Sequence, residues 1–215
     1  MSADRRILFL CGEAEGNAFR RHVEALAPGL ETQWVASRAG LDFATRRGAS
    51  RTRLISFLTD VIVPPEIIAR LGPKPYNIHP GSPDYPGAHG LSFAIFERAR
   101  TFGVTAHEMT PRVDAGPIVH VSRFALPSDA ELVSFGNEVY ARAVDVVDLL
   151  IRHAVASDGP MVPTGETWSR RQCSRARMDA LLASADYLLP EDRARLERAC
   201  GPHLESRTGT GIRHG

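Results

Sequence analysis

Residues 7–11, Ile-Leu-Phe-Leu-Cys, form a continuous apolar run that stops at Gly12, the pattern of a strand buried on both faces. From 17 to 26 the apolar positions Phe19, Val23 and Leu26 recur at helical spacing, and Pro28 and Gly29 end the segment. Residues 32–36 predict a second strand and 53–58 a third. A helix is then expected to begin near Pro64, Pro65 and Glu66, where proline suits a first turn. Residues 76–79 predict a fourth short strand that enters the Pro/Gly-rich loop 80–87. Beyond it the pattern predicts a helix over 90–100, then paired strands over 104–109 and 118–124 around a turn at Asp114, Ala115 and Gly116. A long helix is expected over 129–153, with Val133, Phe135, Val139, Ala143, Val146 and Leu150 on or near one face.

Strands alternating with helices argue for an α/β architecture, a mostly parallel sheet flanked by helices. In such sheets ligands sit beyond the carboxyl ends of the strands. Thr59 and Asp60 fall at one predicted strand end, and Asn77 and His79 at another. After Gly159 and Pro160 the chain turns arginine-rich and less apolar. The expected division is therefore a catalytic domain over 1–157 and a partly helical C-terminal extension over 158–215. Within the extension, 168–177 reads as a solvated face, Pro190 as the start of a last short helix, and 207–215 as a mobile tail.

Composition narrows the function classes. At 215 residues, 43% hydrophobic and 24% charged, the chain suits one well-buried globular core. A net charge of +1 gives no sign of a nucleic-acid coat or an acidic partner. Cys11, Cys173 and Cys200 are odd in number and lack zinc-finger spacing, so no metal site is expected. Cys11 reads as a small buried hydrophobe. No signal peptide or membrane-length apolar run is present, so the expectation is a cytoplasmic protein with no membrane partner. No pattern specifies an oligomeric state.

The chemistry concentrates between Asn77 and Ile118. Asn77 and His79, two residues apart on a strand, point to one face and converge, while Pro80 holds His79 extended. Asp114 lies in a turn with Gly116 and Pro117, and His107 on the preceding strand reaches toward the same cavity. Singly, each has a plain structural reading: Asn77 as a turn cap, His79 as a satisfied structural histidine, Asp114 as a turn residue. In this order, beside these glycines and prolines, they form a set suited to acyl transfer between nitrogens. That reaction needs fixed donors for a developing oxyanion and a base for the proton the attacking amine sheds. Asn and protonated His supply the first; His and Asp supply the second.

Asn77-x-His79-Pro80, the following Tyr85-Pro86-Gly87, and Gly103-Val104-Thr105-x-His107 with Asp114-x-Gly116-Pro117-Ile118 resemble the signature of the 10-formyltetrahydrofolate-dependent formyltransferases. The resemblance runs from Ile7 to about Ile151 and is densest from Phe57 to Phe124. It implies the Rossmann-like formyltransferase fold, with Asn77, His79 and Asp114 as the catalytic trio. It also implies a folate pocket drawn from Thr59, Asp60, Val61, Ile62, His107 and Val113. The implied co-substrate is 10-formyltetrahydrofolate, without a metal. The implied acceptor is a primary amine, on an amino sugar, an aminoacyl carrier or a small molecule.

Some features depart from the family pattern. Loop 80–85 is one residue shorter than usual, fewer residues precede Asn77, and no room remains for a tRNA-gripping C-terminal domain. In length the chain is similar to sugar N-formyltransferases and to the formylation domains of peptide synthetases. Gly16-Asn17 resembles a phosphate-binding turn of the glycinamide ribonucleotide enzymes, and His89 lies close enough to Gly87 to touch a substrate. Two other functions stay open: a 10-formyltetrahydrofolate hydrolase, and an inactive folate-binding module.

Overall fold

A computed structural model describes residues 5–201. Expectations for the tail at 207–215 lie outside the described residues. Strands β1 (Arg6–Leu10), β2 (Glu31–Val35), β3 (Thr52–Phe57), β4 (Tyr76–His79), β5 (Thr101–Glu108) and β6 (Ile118–Ala125) form one sheet in the order β2-β1-β3-β4-β5-β6. Neighbours from β2 to β4 run parallel, whereas β4 pairs with β5 and β5 with β6 antiparallel. Every residue of β1 is buried because both faces of the sheet are covered. Ile7 and Phe9 point into one core and Leu8 and Leu10 into the other, as the two-residue period of a strand requires. Each such side chain contributes about 1.5–3 kcal/mol by leaving water.

The larger core lies under helices α1 (Glu13–Leu26) and α5 (Leu132–Ala156). Its aromatic centre is Phe9, Phe19 and Phe57, with ring centroids 5.3 and 5.1 Å apart. The smaller core lies under α2 (Arg38–Ala44) and α3 (Pro65–Ile68), through Leu41 and Ile67. Helix α2 was not legible from apolar periodicity; its signal is the cap at Ser37, whose hydroxyl accepts from the Gly40 N–H at 3.1 Å. Helix α5 starts three residues later than expected and turns Val133 out to solvent, 62% exposed, while Val139, Ala143, Val146 and Leu150 are buried. Gly16 is no phosphate turn. It sits inside α1 against Trp34, where a Cβ would stand 2.4 Å from the indole Cγ, and Trp34 Nε1 donates to the Asn17 side chain. Glu13 and Glu15 make the first turn of α1 acidic as well.

Buried Arg53 fixes where the chain leaves α5. Its guanidinium donates to the carbonyls of Ser157, Asp158 and Gly159 at 3.2, 2.7 and 2.9 Å and lies over the Tyr76 ring. The C-terminal segment beyond this anchor packs onto the core. Helices α6 (Arg175–Ala183) and α7 (Pro190–Cys200) bury Cys173, Met178, Leu196 and Cys200 against Phe93 of α4 (Gly90–Phe96). The solvated-face expectation for 168–177 is thereby corrected: Cys173 is 2% exposed, and Arg177 stacks on Phe93 at 4.6 Å. Dense arginines masked widely spaced apolar anchors. Among the described residues no helix is long and apolar enough to cross a membrane.

Candidate active site

The carboxyl ends of β3 and β4 open into a cavity of about 630 Å3, within the usual range for small-molecule sites. All nine sequence-predicted site residues line it: Asn77, His79, Asp114, Thr59, Asp60, Val61, Ile62, His107 and Val113. Leu58 ends β3 with φ at +45°, a left-handed turn costly for a side chain of its kind, and sends 59–63 along the cavity wall. Thr59 Oγ1 accepts from the Val61 N–H at 3.2 Å and steadies that wall.

Strand register brings the polar groups together. Asn77 on β4 lies directly opposite His107 on β5, and a bulge occurs between Ala106 and His107 in the pairing with β6. His107 Nδ1 faces the Glu108 carbonyl at 2.9 Å and so carries a proton. With one proton on the ring, Nε2 accepts from the Asn77 amide nitrogen at 3.1 Å. The second amide N–H and the oxygen of Asn77 are left for the cavity.

Asp114 reaches this pair from the β5–β6 connection. The connection closes tightly at Gly116, where a Cβ would stand 1.8 Å from the Glu108 carbonyl oxygen, and Asp114 itself adopts φ +45°. One carboxylate oxygen lies 3.3 Å from His79 Nδ1 and accepts from the Gly87 N–H at 3.2 Å; the other lies 3.5 Å from His107 Nε2. His79, His107 and Asp114 are all but shut off from water, at 5%, 3% and 6% exposure. His79 Nε2 meets the Tyr85 carbonyl at 3.1 Å, so both ring nitrogens of His79 face acceptors. Nothing larger than Gly81 fits beside it, since a Cβ there would approach Nε2 to 2.5 Å.

The electrostatics reflect that burial. Desolvation pushes the His79 pKa below its ordinary value, although Asp114 and the Tyr85 carbonyl pull the other way. For Asp114, burial alone would raise the carboxyl. When protonated, the imidazoles of His107 and His79, together with the Gly87 N–H, outweigh it and hold Asp114 lower than usual. Both shifts weaken the fold on acidification. In the unfolded chain His79 takes up its proton near 6.5 while the folded site resists it, so stability falls as pH drops below that value. Asp114 contributes stability that is present above its ordinary value of 3.8 and is lost as pH falls below it. The urea midpoint is therefore expected to drop between about pH 8 and about pH 5, and to drop less in His79→Gln. An equal drop in that variant would remove His79 as the cause.

Several contributors were not singled out in the sequence. The Gly87 N–H and Tyr85 carbonyl act through the backbone of the Tyr85-Pro86-Gly87 motif, for which the sequence indicated no contact. Gly136, Val139 and Tyr140 of α5 line the far wall of the cavity, with Tyr140 Oη donating to Glu15 at 2.9 Å. Trp168 packs edge-on against His107 and His79, at 5.1 and 5.5 Å between ring centroids. A lone tryptophan in an arginine-rich run was its available signal. Among the described residues no cluster of three or more His, Cys, Asp or Glu side chains is placed to hold a metal ion.

Residues 56–145, from the end of β3 through the first half of α5, match the formyl transferase family. Over this stretch the chain is similar to a formyl transferase domain. The matched residues hold β4, β5, β6 and every side chain of the polar cluster. Among solved structures, Aquifex aeolicus HypX in complex with tetrahydrofolic acid is similar at TM-score 0.68 and 22% identity, over 92% of this chain and 34% of that one. The chain thus spans about a third of the HypX structures it matches. A 4-N formyltransferase from Francisella tularensis is similar at TM-score 0.73 and 14% identity, over 93% and 89% of the two chains. An N-formyltransferase from Helicobacter canadensis in complex with folinic acid and dTDP-3-aminofucose gives 0.64 and 13%, over 91% and 80%. At these identities the likeness to the formyltransferase structures is one of fold.

Proposed function

We propose that this protein transfers a formyl group from 10-formyltetrahydrofolate to a primary amine. The observation that carries the proposal is the Asn77–His107–Asp114–His79 cluster, buried at the floor of one cavity within the formyl transferase segment. The cavity suits a folate. Ile62 and Val113, 60% and 52% exposed, offer apolar surface at its walls with Leu58, Val61, Val63 and Met109, a setting for a flat heterocycle. Thr59, Asp60, Val61, Ile62, His107 and Val113 are the residues assigned to hold it. HypX crystallised with tetrahydrofolic acid, and the Helicobacter enzyme with folinic acid and an amino sugar nucleotide, support a folate donor and a small amine acceptor.

In this reading the free N–H of Asn77 meets the formyl oxygen and stabilises the negative charge that grows there as the amine adds. Asp114, ionised and screened from water, accepts the proton that the amine sheds. His79, with an acceptor at each nitrogen, takes on positive charge shared with Asp114 and so favours the oxyanion. His107 fixes the Asn77 amide in the orientation that leaves one N–H for the substrate.

The test is a panel of amines, including amino sugar nucleotides and aminoacyl carriers, supplied with 10-formyltetrahydrofolate. The expected result is tetrahydrofolate release that rises with one amine, with the N-formyl product seen by mass spectrometry. Release that is indifferent to every amine would replace the proposal with a hydrolase. Folate binding with no turnover would leave a binding module.

A further inference from the structure

The site is closed from behind by a segment that lies outside the formyl transferase match. Residues 164–173 run as a strap from β6 to loop 82–89. The Thr164 N–H donates to the Ile118 carbonyl at 2.8 Å, Ser169 N–H to Pro83 at 2.8 Å, and Cys173 N–H to Pro86 at 2.7 Å. Glu166 receives both terminal nitrogens of Arg123. In the middle of the strap, Trp168 Nε1 donates to the Gly116 carbonyl at 2.8 Å, tying the indole to the turn that carries Asp114. Its ring stands at 89° to His107 and 72° to His79.

A second cavity, of about 390 Å3, opens on the outer side of this ring. Trp168 lines it, while the two imidazoles it packs against line the larger cavity. Arg112 and Asp114 line both. The indole therefore stands between the two imidazoles and a crevice open to solvent, which Arg112 and Asp114 also border.

We propose that Trp168 is a positioning residue that keeps water from the rear of the site and so directs the formyl group to the amine. Two outcomes share one donor. In transfer, the amine nitrogen bonds to the formyl carbon, the bond from that carbon to N10 breaks, and N10 takes a proton to give tetrahydrofolate. In hydrolysis, a water oxygen makes the new bond, the same C–N10 bond breaks, and formate leaves with tetrahydrofolate. Asn77 and Asp114 serve both equally, so the choice depends on which nucleophile reaches the carbon. A dry wall of indole also keeps the Asp114–His79 interaction in a low-dielectric setting. This account of partition rests on the formyl-transfer reading; the packing of Trp168 on the histidines does not.

The experiment measures the ratio of N-formyl product to formate in Trp168→Ala, Trp168→Leu and Trp168→Phe. Because both products come from the same bound donor, loss of folded protein cancels from the ratio. It is expected to fall at least about tenfold in the Ala and Leu variants and to change little in Phe, which keeps an aromatic wall. A wild-type ratio in a folded Ala or Leu variant would overturn the proposal. A second readout covers the case in which no amine is turned over. The ring protons of His79, which faces Asp114, His107 and the Tyr85 carbonyl, are followed by NMR as pH is varied. Water admitted behind the ring is expected to move the His79 midpoint up toward its ordinary value in Trp168→Leu. An unmoved midpoint there would also overturn the proposal, whereas failure of formyl transfer in the wild type would overturn the functional reading alone.

Discussion

Asp114→Asn is expected to lower the rate of formyl transfer by about three orders of magnitude while leaving the protein folded, the middle of the range for removing a positioned base. The substitution keeps the shape of the side chain and an oxygen to accept from the Gly87 N–H, now 3.2 Å away. It removes the charge that faces His79 Nδ1 at 3.3 Å and His107 Nε2 at 3.5 Å. In the proposed mechanism the amine then has no base beside it, and His79 loses the charge that most favours its protonated form against burial. Single-turnover release of tetrahydrofolate reads the chemical step, and a thermal melt reads the fold. A folded Asp114→Asn enzyme within about tenfold of wild type would contradict the proton-acceptor role.

Asn77→Ala is expected to reduce kcat by roughly 100- to 1000-fold, equivalent to about 3–4 kcal/mol of lost oxyanion stabilisation. The donor is valuable because its geometry is fixed before substrate arrives. One N–H is held by His107 Nε2 at 3.1 Å, so the other has a single direction, into the cavity. Folate affinity should change little, since the interaction strengthens only as charge develops on the formyl oxygen. Binding measured by calorimetry, set beside kcat, separates the two. Affinity lost in proportion to rate would show that Asn77 holds the ground state and not the transition state.

The two predictions rest on contacts that differ in how far the chain itself announced them. Asn77 and His79 share a face because they are two residues apart on a strand, which sequence spacing dictates. The apolar run at 7–11, the loop at 80–87 and the paired strands over 104–109 and 118–124 were legible for the same reason: period and turn chemistry are local properties. Helix α2 and the strap at 164–173 were not, because their signals are a single cap at Ser37 and single anchors at Trp168 and Cys173, spread among polar residues.

His107 shows the boundary most clearly. Sequence placed it on a strand near Asp114 but had no means to choose its partner. Antiparallel register sets it opposite Asn77, and the Glu108 carbonyl then fixes its proton and, through that, the orientation of the Asn77 amide. The same holds for Asp114, whose position depends on the close approach of Gly116 to Glu108 and on the N–H of Gly87. Residue types, their spacing and the kind of chemistry were determined by the sequence alone, since they arise from bonds and periods within short segments. The pairing of the imidazoles, the drying of the carboxylate and the closure of the site by Trp168 were decided by the tertiary structure. They depend on groups far apart in the chain, whose distances and burial exist only once the sheet has formed and the C-terminal segment has packed across it.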